Sequence, residues 1–171
     1  MNCKCLMAMA LVFCAAASML GAGKSEQADT KPAAITFDTH DGYFVSNQFE
    51  PDKAQSFVVF KDQKTFEGIF KARRLINDKS HRLPEDIFDS KMVVATIKRG
   101  PAVWTYKVTD VVAADGVLTV RYTAASQKSD SATFSCPLIV SVPKGDYKAV
   151  VFEEGGKVAG KVDLSPAATQ K

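Results

Sequence analysis

The sequence predicts a mainly β domain of the α+β class, with antiparallel hairpins curled into a sheet or sandwich and one α-helix packed against it. Three observations carry this. From Lys91 to Leu164 the chain falls into strand-like runs of Val, Ile, Tyr and Phe, cut by Gly100-Pro101, Asp115-Gly116 and Gly155-Gly156. Only one stretch, from Asp62 to about Asn77, changes to a helical period. The chain has 171 residues, 46% of them hydrophobic, enough for one domain with a core but not comfortably for two.

The amino terminus reads differently from the rest. "MNCKCLMAMALVFCAAASMLGAG" has an early lysine, an apolar run from Leu6 to Leu20, and then small residues, the three-part pattern of a secretory signal peptide. The run is shorter than the roughly 20 apolar residues of a membrane span, so no stable span is expected in the mature chain. Residues 1–23 are read as the signal, with cleavage after Gly23 and Ala17 as the alternative site. A lipid anchor on Cys14 is disfavoured, because the residue before it, Phe13, is large. An exported location, periplasmic or extracellular, follows. Residues 24–34, polar and aperiodic, read as a flexible linker, 35–164 as the β-rich domain, and 165–171 as a disordered tail.

Charge excludes little by itself. The chain carries 22 basic and 19 acidic residues; loss of residues 1–23 removes only Lys4, leaving 21 against 19, a net of +2. That is too small to imply a polyanionic partner, and the densest basic stretch, "KARRLINDKSHR", is interrupted by acid and reads as a solvated face. No nucleic-acid partner is expected.

Within the domain, "ITFDTHDGYFVSNQFEP" holds one or two short strands with a turn at Asp41-Gly42, and Gln55–Asp62 a strand. Asp62 is then a candidate N-cap for a helix whose stripe is Phe66, Ile69, Phe70 and Arg73. "NDKSHRLPEDIFDS" reads as a loop. Strands follow over Lys91–Arg99, Ala102–Ala114 and from Val117, then "CPLIVSV", "YKAVVFEE" and "KVAGKVDL". Alternation puts Trp104, Tyr106 and Val108 on one face of their strand, and Val103, Thr105 and Lys107 on the other.

Candidate chemistry is sparse. Cys3, Cys5 and Cys14 fall in the signal, so Cys136 stands alone and no internal disulfide is expected. Counting by two from Cys136 gives Leu138, Val140 and Val142, an apolar face, and a buried thiol acting as a small hydrophobe is the expectation. A cysteine nucleophile would need His40 or His81 as its base, and no glycine elbow or other signature accompanies it. No G-x-S-x-G, phosphate loop or paired-histidine metal motif is present. The expectations are therefore no catalytic residues, no metal and no cofactor. Trp104 and Tyr106, directly after Gly100-Pro101, are either core or the aromatic rim of a partner-binding sheet edge.

Three segments, "SFVVFKDQKTFEGIF", "LPEDIFDSKMVVATIKRG" and "CPLIVSVPKGDYKAVVFEEGGK", together resemble the PrcB-like domain family, named for an accessory subunit of a bacterial surface protease complex. The resemblance covers most of the mature chain. It departs from the family at a Thr-Gly-Gly-Tyr element, where this chain reads "GPAVWTY", and in lacking the namesake's lipid-attachment motif. The resemblance implies an exported, non-catalytic interaction module whose partner is a protein. A protease is the partner suggested by analogy, with stabilisation or inhibition as the two possible effects. The candidate partner-binding residues are Gly100, Pro101, Trp104 and Tyr106.

Overall fold

The computed structural model describes residues 31–73 and 81–164. The expected signal peptide, residues 24–30 of the expected linker, Asn77 at the expected helix end, and the expected tail lie outside the described residues. The domain is mostly β, as the alternation predicts.

Among the described residues eleven strands and two short helices follow in order: β1 (Ala33–Ala34), β2 (Asp38–His40), β3 (Tyr43–Val45), β4 (Gln55–Phe60), α1 (Gln63–Ile69), β5 (Phe70–Ala72), α2 (Ile87–Ser90), β6 (Lys91–Gly100), β7 (Ala102–Ala114), β8 (Val117–Lys128), β9 (Phe134–Pro143), β10 (Ala149–Glu154) and β11 (Lys157–Asp163). They make a five-stranded sheet ordered β1-β7-β8-β10-β11, a four-stranded sheet ordered β2-β9-β6-β4, and a β3–β5 ribbon.

The side chains explain the layering. Met92, Val94, Leu118, Val120, Val140 and Phe152 fill the space between the two sheets. The opposite face of the four-stranded sheet, through Val93, Ile97 and Ile139, packs on Phe60, Phe66 and Phe70. Alternation along β6 and β9 thus feeds two cores, which is why these strands read as continuous apolar runs. The outer face of β7 stays exposed at Val103, Thr105 and Lys107, as expected.

Three features differ from the sequence reading. First, the helix ends at Ile69 rather than near Asn77. Its start is as expected: Asp62 accepts the Thr65 N–H at 2.9 Å. Phe70, however, leaves the helix for an extended conformation and pairs with Val45. It is still 1% exposed and lies 5.0 Å from Phe66, centroid to centroid, so the aromatic stripe reaches the same core by another route. A second helix, α2, occupies part of the expected loop and buries Ile87 and Phe88. Second, Ala33–Ala34, expected in the linker, pair with Val112 and Ala113 of β7. Third, β10 runs parallel to β8, from Ala149 opposite Val117 to Glu154 opposite Tyr122. The chain leaves β8 for the other sheet as β9 and returns beside β8 in the same sense. The two dipeptide turns hold as hairpins, with Asp115, Gly116, Gly155 and Gly156 all at positive φ.

Two ends of the sandwich are closed differently. Phe57 of β4 lies against Gly160 of β11, joining the sheets along one side. On the other side β7 is long and β1 short. Among the described residues, Ala102–Asp110 have no strand partner on the side away from β8. No helix among the described residues is long and apolar enough to cross a membrane.

Candidate functional site

The four candidate residues lie where the chain passes from one sheet to the other. Gly100 ends β6, paired with Phe134 of β9, and Ala102 begins β7, paired with Lys128 of β8. Pro101 is the corner between them, exposed, its carbonyl accepting the Ser129 N–H at 2.9 Å. Gly100 has φ +144°, a conformation that side chains disfavour. Beyond it the Trp104 ring folds back, so close that a Cβ at Gly100 would stand 3.2 Å from Trp104 Cη2. Glycine at 100 and tryptophan at 104 are thus one arrangement.

Trp104 is half-buried, and its backbone N–H points away from β8 toward Cys136 Sγ, 3.5 Å away. Tyr106 sits deeper. Its ring meets Tyr122 edge-on, 6.0 Å between centroids, and its hydroxyl donates to the Cys136 carbonyl at 2.8 Å. Burial pushes the Tyr106 phenol well above its ordinary pKa, so the group is a neutral donor. Tyr122 is pushed up to about 12, by burial first and then by Glu154. It belongs to a polar chain across the sheets: Gln55 Nε2 donates to Thr96 Oγ1 and to Tyr122 Oη, and Lys98 pairs with Glu154.

The corner separates two clefts. One, of about 560 Å3, lies between the free edge of β7 and the β2–β9 edge of the other sheet; Trp104, Tyr106, His40, His81, Pro137 and Leu138 line it. The other, of about 810 Å3, takes in Gly100, Val103 and Cys136. Trp104 and Tyr106 therefore share a cleft, Gly100 faces the second cleft while touching Trp104, and Pro101 lines neither.

Both histidines weighed for thiol chemistry line the first cleft, and Cys136 lines the second. Cys136 is half-buried rather than a buried plug. Leu138, Val140 and Val142 of the same face are in the core between the sheets, but Cys136 lies beyond the core's end. His40 is occupied locally: its Nε2 and the Ser141 hydroxyl, 0% exposed, are 2.9 Å apart. Burial lowers the His40 pKa, with nearby Asp38 opposing and Lys91 adding to the shift. Lys91 itself pairs with Asp38 and holds that carboxyl below its ordinary range. Among the described residues no three His, Cys, Asp or Glu side chains are grouped to hold a metal ion.

Sequence reasoning missed the second cleft. Its exposed aromatic, Phe44, sits between two buried residues of β3, and that alternation was the available signal. Arg99, read only as the end of a strand, fastens the 46–54 loop by donating to the Phe49 carbonyl at 2.9 Å, the Lys53 carbonyl at 3.2 Å and Ser56 Oγ at 2.8 Å.

Set beside known proteins, the chain matches no family model, no curated protein and no solved structure.

Proposed function

We propose that this chain is an exported, non-catalytic interaction module that takes an extended segment of a partner protein along the free edge of β7. The supporting observation is the stretch Ala102–Asp110, which among the described residues has no strand partner on the side away from β8, beside a cleft carrying Trp104 and Tyr106. The Trp104 N–H on this side meets only the weak acceptor Cys136 Sγ, and strand addition at such an edge draws affinity from main-chain hydrogen bonds and specificity from neighbouring side chains. Trp104 supplies an aromatic face that is half open, whereas Tyr106 mainly supports the strand from inside. Export rests on the amino-terminal pattern, and a protease as partner rests on the resemblance to the PrcB-like family.

Trp104 is the single tryptophan of the chain, so its emission reports on this cleft. The test is affinity capture from the exported proteins of the source cell with wild type and Trp104→Ala in parallel, followed by titration of the captured protein while reading Trp104 emission. The reading predicts one partner, lost with Trp104→Ala, whose addition shifts the emission. Assaying that partner's proteolytic activity then distinguishes a stabiliser from an inhibitor. Equal capture by a folded Trp104→Ala chain would remove the cleft from the account.

A further inference from the structure

We infer that the second cleft is a separate docking site for an acidic polypeptide segment carrying a large apolar anchor. Among the described residues three large hydrophobic side chains are exposed: Phe44 at 56%, Val103 at 39% and Val158 at 66%. The first two line this one cleft, with Phe49 and Phe134. Apolar groups gathered at a concave surface mark a binding site more than the same groups scattered.

The charges give the partner's sign. Arg73 lies over the Phe44 ring, 4.8 Å from its centroid, and Arg99 over Phe49 at 5.8 Å. The acceptors that hold Arg99 are two carbonyls and a hydroxyl, and the one carboxylate acting on it, Glu50, is shared with Lys53. Lys53, also in the wall, is paired with Glu50, and among the described residues Asp52 is the one carboxylate lining the cleft. The surface is therefore a set of apolar faces edged by net positive charge. Its complement is an aromatic or large aliphatic side chain flanked by carboxylates.

Three of the five Arg99 N–H donors are committed to the Phe49 and Lys53 carbonyls and to Ser56 Oγ, which fixes the guanidinium in the wall of the cleft. Cations held at separate points, Arg73 and Arg99, suit several carboxylates spaced along a peptide. Of β7 the site takes only the outer-face side chain of Val103, and neither Trp104 nor Tyr106 lines it, so the inference stands whether or not the edge binds a strand.

The experiment is selection of a random displayed peptide library on the full chain, followed by affinity measurement with the most enriched synthetic peptide. The expected result is enrichment of Asp and Glu around a Phe, Tyr, Trp, Leu or Ile. Binding should weaken about tenfold with Phe44→Ala and with Arg73→Glu, weaken as salt rises, and be unchanged in Trp104→Ala. Circular dichroism checks each variant, and Val103→Asn replaces Phe44→Ala should the latter not fold. Three results would overturn the inference: no enrichment, an enriched set without acidic residues, or binding indifferent to both cleft substitutions. Phosphatidylglycerol vesicles are the parallel probe; Phe44-dependent vesicle binding that no selected peptide displaces would also overturn it. Loss of peptide binding in Trp104→Ala alone would assign the peptide to the β7 edge instead.

Discussion

Gly100 and Trp104 are in contact across the corner that joins the sheets: a Cβ at position 100 would approach Trp104 Cη2 to 3.2 Å. The backbone at Gly100 is also at φ +144°. Both effects oppose a side chain. Gly100→Ala is expected to cost about 1–3 kcal/mol, mostly as backbone strain. It should also shift Trp104 emission in the folded state, because the ring must give way. Denaturant unfolding with fluorescence detection reads both quantities. An alanine variant of unchanged stability and emission would show that the corner is looser than described.

The opposite side of the sandwich depends on a closer fit. A Cβ at Gly160 would stand 2.3 Å from Phe57, a ring that itself packs 5.0 Å from Phe152. Gly160→Ala is expected to destabilise by about 1–3 kcal/mol through overpacking. In a Phe57→Ala background the same change should cost much less, since the obstructing ring is gone. A double-mutant cycle of unfolding free energies measures the coupling, and additive effects would contradict the packing.

Tyr106→Phe separates support from recognition. The hydroxyl's role is its bond to the Cys136 carbonyl, worth about 1 kcal/mol net. Stability should fall by roughly that amount with partner binding retained. Lost binding at retained stability would make Tyr106 a contact residue.

Acidification should loosen β2. Because burial lowers the His40 pKa, the unfolded chain binds a proton at higher pH than the folded one. Stability from His40 is therefore full above its ordinary value of about 6.5 and declines as pH falls through the depressed folded value. The groups facing the ring are Asp38 and Lys91, the backbone at His81 and Arg82, and Ser141. Asp38, Glu50 and Asp62, whose carboxyls are also depressed, act in the same direction but in the lower carboxylate range. Unfolding curves at stepped pH should show His40→Gln flattening the decline near neutrality while leaving the acid limb. An unchanged slope would assign it elsewhere.

How much of this was written in local sequence can be seen strand by strand. Ala102–Ala114 and its face assignment follow from alternation alone, as do the Asp115-Gly116 and Gly155-Gly156 turns and the Asp62 cap. What local pattern does not contain is which strand lies beside which. The parallel β8–β10 pairing depends on β9 being taken by the other sheet, a matter of long-range packing. The helix end was hidden for a related reason. Phe66, Ile69 and Phe70 fit a helical stripe equally well, and only the pairing of Phe70 with Val45 turns the chain extended. The candidate site was legible as a place, the Gly100-Pro101 corner, but its division into two clefts was not. Phe44, Arg73 and Val103 come from three separate segments that only the fold brings to one wall.

The most direct test of the central claim places a photo-crosslinking residue at Thr105 or Lys107, exposed beside the free edge of β7, and at Val158 or Lys161 on the far strand β11 as controls. Irradiation in the native compartment, with mass spectrometry of the products, should give crosslinks from 105 and 107 to one contiguous segment of a single partner, and none from 158 or 161. Identical products from all four positions, or products from the β11 positions alone, would contradict a partner strand on β7.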